Sequence, residues 1–239
     1  MILDLDIGNS YLKWQLASCD TVSAMNSCPL DNLTSISGAL ANLAIDKICI
    51  AASLNKGLEN ILKQIKEITH CDNIVYAASA QQQLGVTNAY ARWQDLGVDR
   101  WLAMLAAFNK CQNTCMIIDC GSAVTIDQID TSGQHLGGYI VPSVAAIVQS
   151  LSASVALDVV ESESTINVLG ASTKDAIVGG SNTMLVNFIT QQLALLKVNY
   201  PQAHIYLTGG GAAAVAPYLT ADVLLIDDLV LQGLRLVMS

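Results

Sequence analysis

Apolar and polar positions fall into two long rounds of the same order. Ile2, Leu3, Leu5 and Ile7 are interleaved with Asp4 and Asp6, which predicts a strand over 1–6 running into a Gly8-Asn9 turn. Alternation resumes over 11–17, so a hairpin is expected. The first seventy or so residues read as strand, strand, strand, helix, strand, helix, strand. Leu33, Ile36, Leu40 and Leu43 are spaced for a helix capped by Asp31 or Asn32, and 48–51 is a short buried strand. Leu58, Ile61, Leu62, Ile65 and Ile68 make one helical face, with the next strand at 74–76. A polar stretch over 79–95 and a helix over 100–111 precede the second round. That round opens with a strand over 115–119 and a returning strand over 124–129, and Asp130-Thr131-Ser132-Gly133 turns into 135–141. Helices near 144–151 and over 173–196 follow. A strand over 205–208, a triple-glycine turn, a short helix, a strand over 223–226 and a last helix complete the chain.

The two rounds begin on matching octets. Leu3-Asp4-Leu5-Asp6-Ile7-Gly8-Asn9-Ser10 can be laid on Met116-Ile117-Ile118-Asp119-Cys120-Gly121-Ser122-Ala123. In both, an apolar strand gives way to Asp-x-Gly and then to small residues. The repeating unit is a whole fold element, far longer than a solenoid motif. An α/β chain of two similar domains, 1–112 and 113–239, facing each other across a cleft, is the expectation.

Composition narrows the function class. The chain is 52% hydrophobic and only 13% charged, with 5% aromatics, which suits buried aliphatic strands. A mean hydropathy of +0.45 raises the question of a membrane. No run approaches the roughly 20 apolar residues of a spanning helix, and the apolar stretch 223–238 is interrupted by Asp227, Asp228, Gln232 and Arg235. No basic segment precedes the first strand, so a signal peptide is not expected and the cytoplasm is. The net charge of −9, without basic clusters, argues against nucleic-acid binding through the phosphate backbone. Backbone amides and a bound cation can still hold an anionic ligand. Seven cysteines, an odd number with no Cys-x-x-Cys, read as buried thiols rather than a disulfide framework or zinc site.

The candidate chemistry lies in the turns. In Asp6-Ile7-Gly8-Asn9-Ser10-Tyr11-Leu12-Lys13, a glycine hairpin can bring amides close to a phosphate. Asn9, Ser10 and Lys13 add side-chain donors, and Asp6 can hold magnesium through water. An Asp-x-Gly turn alone is common. Its recurrence in Asp119-Cys120-Gly121-Ser122-Ala123-Val124-Thr125-Ile126-Asp127, with Gly209-Gly210-Gly211 closing a third strand, favours nucleotide binding over ordinary turns. No P-loop sequence is present.

With these motifs the chain resembles the actin-like ATPase superfamily, which includes acetate and sugar kinases and heat-shock chaperones. Leu96-Gly97-Val98-Asp99-Arg100 and Gly137-Gly138-Tyr139-Ile140-Val141-Pro142 then follow the first hairpin in the order of a type III pantothenate kinase. The resemblance covers essentially the whole chain. It implies two ribonuclease-H-like domains, each a mixed sheet with flanking helices, around a nucleotide cleft. It also implies transfer of the γ-phosphate of ATP to pantothenate, the first step towards coenzyme A, in a homodimer. The roles it implies give residues 6–13 to the ATP phosphates, with Ser122 as a further ATP contact. Asp99 becomes the general base, and Tyr90, Gly97, Val98, Asp99, Arg100 and Thr173 line the pantothenate site. Asp119 becomes the seat of a monovalent cation, potassium or ammonium.

Three positions depart from the family pattern. Ser10 and Ser122 replace threonine and keep the hydroxyl. Ser143 replaces a glycine after Pro142, where a positive φ would suit serine poorly. Thr173 is also placed to cap the helix it precedes. Two other readings compete with the enzyme: a non-catalytic regulatory protein that kept the nucleotide fold, and a sugar or carboxylate kinase of the same superfamily.

Overall fold

A strand that alternates aliphatic and acidic residues must bury one face in a core and give the other to polar partners, and the first strand does both. In the computed structural model, which describes residues 1–18, 21–40, 43–53, 57–155, 166–219 and 222–238, that strand is β1 (Ile2–Ile7). It is followed by β2 (Tyr11–Ala17), β3 (Asn26–Pro29), α1 (Thr34–Leu40), β4 (Lys47–Ala52), α2 (Leu58–Thr69) and β5 (Ile74–Tyr76). The sheet order is β3-β2-β1-β4-β5, with β1 antiparallel to β2 and parallel to β4. Leu3, Leu5 and Ile7 pack with Ile36 and Leu40 of α1 and with Ile61 and Ile65 of α2. Asn32 Oδ1 accepts from the Thr34 amide at 3.1 Å just ahead of α1, which begins at Thr34, and Leu33 and Leu43 lie outside the helix.

The polar stretch is more structured than its composition suggests. It holds a small hairpin of β6 (Gln82–Gln83) and β7 (Val86–Thr87). Its two turn residues, Leu84 and Gly85, both have positive φ, 48° and 82°. That is the backbone of a tight hairpin turn, and Leu-Gly is a weak sequence signal for it. Then comes α3 (Val98–Cys111), buried continuously from Arg100 to Phe108.

The second round repeats the first. β8 (Cys115–Cys120), β9 (Ala123–Ile129), β10 (His135–Pro142), α4 (Val144–Val155), α5 (Thr173–Asn199), β11 (His204–Thr208), α6 (Ala212–Val215) and β12 (Leu224–Leu225) give the order β10-β9-β8-β11-β12. β8 is antiparallel to β9 and parallel to β11, as β1 is to β2 and β4. Met116, Ile118, Val124 and Ile126 pack against Leu185, Ile189 and Leu193 of α5. Both units thus carry the ribonuclease-H-like order, a mixed sheet flanked by helices.

The chain divides into two compact units by its own packing. The first comprises the described parts of Met1–Gln112, Ser132–His135 and Asp228–Ser239, and the second those of Asn113–Thr131 and Leu136–Asp227. This partition differs from 1–112 and 113–239 in that Ser132–His135 and, at the end of the chain, α7 (Leu229–Met238) pack in the first unit. For α7 the reason is steric and electrostatic. A Cβ on Gly233 would lie 2.0 Å from the Leu102 carbonyl oxygen, so α7 crosses α3 backbone to backbone. Arg235 donates from Nε and Nη2 to Asp4 Oδ2, at 3.2 and 3.1 Å, and from Nη2 to Gln15 Oε1 at 2.7 Å. Burial pushes the Asp4 carboxyl up, while the Arg235 hydrogen bonds and charge pull it back. The described cysteines are thiols, and all of them except Cys111 are buried. Among the described residues, no helix is long and apolar enough to cross a membrane.

Candidate active site

In the first unit, the end of β1 presents Asp6, which is 8% exposed. Alternation along β1 puts it on the face of Asp4, away from the aliphatic core. Lys13 of β2 stands opposite Asp6 in the antiparallel register. The turn between them is tied by the Gly8 amide donating to the Tyr11 carbonyl at 3.0 Å, and the Leu30 amide donates to the Ser10 carbonyl at 3.1 Å. Asn9, Ser10 and Tyr11 are exposed at the tip, while Ile7 and Leu12 are buried beneath it. The loop therefore offers polar groups to solvent from an aliphatic base, an arrangement suited to an anionic ligand.

In the second unit, the corresponding turn is one residue shorter. Thr125 stands opposite Asp119, and Val124 opposite Cys120. A neutral hydroxyl residue thus occupies the register position that Lys13 holds opposite Asp6. Asp119 also lies level with Thr208 in parallel pairing, directly before the triple glycine. Gly209 has φ 90°, and a Cβ there would fall 2.3 Å from Asp119 Oδ1 and 2.6 Å from the Cys120 carbonyl carbon. A Cβ on Gly121 would come within 3.3 Å of the same oxygen. Bare glycine backbone therefore flanks one oxygen of the Asp119 carboxylate. Burial, with the Asp119 charge beside it, pushes the Cys120 thiol up to about 12, so it adds no negative charge at neutral pH. A hard cation needs oxygen donors, and a carboxylate among backbone groups is chemically suited to one.

The Gly97-Val98-Asp99-Arg100 segment forms the start of α3 in the first unit. Gly97 is the N-cap, and its carbonyl accepts from the Trp101 amide at 3.0 Å. Asp99 Oδ1 accepts from the Arg100 amide at 2.8 Å. Acidic residues are favoured in this first helical turn. Arg100 is 8% exposed, a buried charge that needs partners. It donates from Nη1 to the Tyr90 hydroxyl at 3.0 Å, with its guanidinium carbon 5.8 Å from the Tyr90 ring centroid. The structure thus brings Tyr90 and Arg100 into contact, with Asp99 next to Arg100 in the chain.

Gly97 is specific to this arrangement. An added Cβ would sit 2.6 Å from Asp99 Oδ1, with no other atom outside Asp99 nearer than 4.0 Å. Its φ of −55° is open to alanine. Gly97→Ala is therefore expected to swing the Asp99 carboxylate aside without harming the fold. With Asp99 as the base that the resemblance implies, turnover should fall roughly 10- to 100-fold, the scale of a misplaced catalytic group, with an unchanged melting temperature. Steady-state kinetics beside a thermal melt check this, and an unaltered kcat would count against a role for the Asp99 rotamer.

Several expectations change in detail. Thr173 is the exposed first residue of α5, but the cap is Ser172, whose Oγ accepts from the Asp175 amide at 3.1 Å. Thr173 belongs to the second unit, as do Ser122 and Asp119. Ser143 is not among the residues of positive φ. Its Oγ accepts from the Ala146 amide at 3.2 Å, so it caps α4, a use that glycine could not supply. Sequence reasoning missed His135, which is 1% exposed, stacks on Tyr90 at 6.3 Å between centroids and accepts the Ala89 amide at Nδ1. A single histidine at the start of a strand carries no spacing signal.

A sequence model of the family described as type III pantothenate kinase matches residues 2–194. A type III pantothenate kinase of Ectopseudomonas mendocina is 32% identical over 99% of this chain and 98% of its own. One from Hahella chejuensis is 34% identical over 98% of this chain and 96% of its own. Among solved structures, the activator of 2-hydroxyisocaproyl-CoA dehydratase from Clostridium difficile, with bound ADPNP, superposes with a TM-score of 0.54. It is 15% identical and covers 99% of this chain and 93% of that one, a likeness of fold alone.

Proposed function

The chain belongs to the type III pantothenate kinase family, and on that premise we propose that it transfers the γ-phosphoryl group of ATP to the primary hydroxyl of pantothenate. The product is 4′-phosphopantothenate, the first intermediate on the way to coenzyme A. The observation that carries this reading is the cluster at the start of α3, where Arg100 is held by Tyr90 and Asp99 is the adjacent acid.

Phosphoryl transfer asks a protein mainly for alignment and charge neutralisation, with an acidic residue taking the hydroxyl proton as the bond forms. In this reading Asp99 accepts the proton of the attacking hydroxyl. Arg100, Tyr90, Gly97, Val98 and Thr173 orient the acceptor. The residue 6–13 hairpin binds the phosphates through its exposed tip and Lys13, and Ser122 adds a hydroxyl contact to ATP. Asp6 would hold magnesium through water, and Asp119, flanked by glycine backbone, would hold potassium or ammonium. Those cations, when bound, supply positive charge against the phosphates.

The protein is further read as a cytoplasmic homodimer. The exposed Tyr139 of β10, which packs edge-on against Phe188 of α5, and the exposed Met184 of α5, both in the second unit, support an association surface. Light scattering of the purified chain tests the dimer, cell fractionation tests the compartment, and a potassium titration of turnover tests the cation.

The activity itself is tested by ADP release with a panel of acceptors. Pantothenate should support turnover, and sugars and simple carboxylates should not. Turnover only with a sugar or carboxylate would transfer the chain to another kinase activity. ATP binding with no turnover on any acceptor would favour a regulatory protein.

A further inference from the structure

His135 lies outside every motif of the sequence, yet it is among the most buried polar residues of the first unit. Its position is set by the 132–135 turn. Gly133 has φ 83°, and a Cβ there would lie 1.9 Å from the Gly85 carbonyl oxygen, so only glycine lets this turn reach the β6–β7 hairpin. The Thr87 amide donates to the Gly133 carbonyl at 2.9 Å, and Gln134 Nε2 donates to the His135 carbonyl at 2.9 Å. This turn delivers the imidazole to the segment that carries Tyr90.

Two contacts join the imidazole to that segment. The rings of His135 and Tyr90 lie 6.3 Å apart and 14° from parallel. The Ala89 amide donates to His135 Nδ1 at 3.4 Å. On the other side, Asn88 Oδ1 accepts from the Tyr90 amide at 2.9 Å and Asn88 Nδ2 donates to the Ala80 carbonyl at 3.2 Å. The Tyr90 hydroxyl in turn receives Arg100 Nη1. A chain of contacts thus runs from His135 through Tyr90 to the residue beside Asp99.

We propose that His135 is a positioning residue for acceptor binding: its ring sets the plane of Tyr90, and Tyr90 sets the Arg100 guanidinium. The inference rests on the acceptor-site reading above. A tyrosine held on only one face can rotate about its side-chain torsions, which costs ordering free energy when substrate binds. Packing by His135 removes that freedom beforehand. The effect is expected on binding of the acceptor, because the side chains it reaches, Tyr90 and Arg100, belong to the acceptor site in that reading.

Steady-state kinetics on wild type, His135→Ala and His135→Phe test it, with thermal melts of all three. The alanine variant loses both contacts. The phenylalanine variant keeps an aromatic ring against Tyr90 and loses the acceptor for the Ala89 amide. In His135→Ala, KM for pantothenate should rise about tenfold, the scale of one lost aromatic or hydrogen-bond contact, with KM for ATP unchanged. His135→Phe should recover much of that loss. A merely structural histidine would lower the melting temperature and the active fraction while leaving both KM values alone, which would overturn the proposal. If His135→Ala does not fold, the phenylalanine variant and its reverse test, Tyr90→Phe, decide it. Tyr90→Phe should raise pantothenate KM while keeping the stack, and equal shifts in the two substrates' KM values would overturn the proposal. Absence of pantothenate turnover in wild type would overturn the acceptor-site reading and this proposal with it, whereas normal wild-type turnover with unchanged KM values in the variants would overturn the proposal alone.

Discussion

Replacing Asp99 by asparagine is expected to remove nearly all pantothenate-dependent turnover while leaving the protein folded. Asparagine is nearly isosteric, and its amide oxygen can still accept the Arg100 amide that Asp99 Oδ1 accepts at 2.8 Å. The start of α3 should therefore hold its shape. What asparagine cannot do is take a proton from the attacking hydroxyl. Removal of a general base costs about 10²- to 10⁴-fold, and kcat should fall by that much. Affinity for ATP, measured by calorimetry, should be unchanged. Residual turnover within a few-fold of wild type would remove Asp99 from the chemistry.

A large stability effect is expected at Gly233. A Cβ there meets the Leu102 carbonyl oxygen at 2.0 Å and the Leu102 Cα at 2.9 Å, both backbone atoms that cannot turn away. Gly233→Ala must therefore push α7 off α3. Such overpacking costs about 3 kcal/mol. In a chain of this size that lowers the melting temperature by roughly 6–12 °C. Gly180, inside α5, is the control, since an added Cβ there meets nothing within 4 Å. Gly180→Ala should be neutral or raise stability by up to about 1 kcal/mol, because alanine suits a helix interior better than glycine. Equal melting temperatures for the two variants would mean that the α3–α7 crossing is looser than described.

The contrast between these glycines shows where reading the sequence stops. Gly180 and Gly233 both sit in helical patterns, and nothing local separates them. The difference comes from α3, over a hundred residues away. The same distance explains why α7 reads as a last helix of the second round and yet packs in the first unit. Its apolar face looks alike whichever sheet it covers, and long-range contacts such as Arg235 reaching Asp4 and Gln15 mark the partner.

The repeat of two Asp-x-Gly strands was legible because strand, turn and glycine are local. Their different register partners were not legible, since pairing depends on turn length, and one turn is a residue longer. Lys13 opposite Asp6 and Thr125 opposite Asp119 follow from that single residue. At the start of α3, Gly97 to Arg100 could be named from the family pattern. The contact of Arg100 with Tyr90 requires the fold of 79–95, a stretch whose hairpin turns on Leu84-Gly85 rather than on a recognisable turn pair.

One measurement tests the central claim most directly: a crystal structure of the chain with pantothenate and a non-hydrolysable ATP analogue. The account predicts the primary hydroxyl of pantothenate within about 3 Å of the Asp99 carboxylate, with the acceptor against Arg100 and Tyr90. Pantothenate ordered elsewhere, with Asp99 out of hydrogen-bond reach of that hydroxyl, would contradict it.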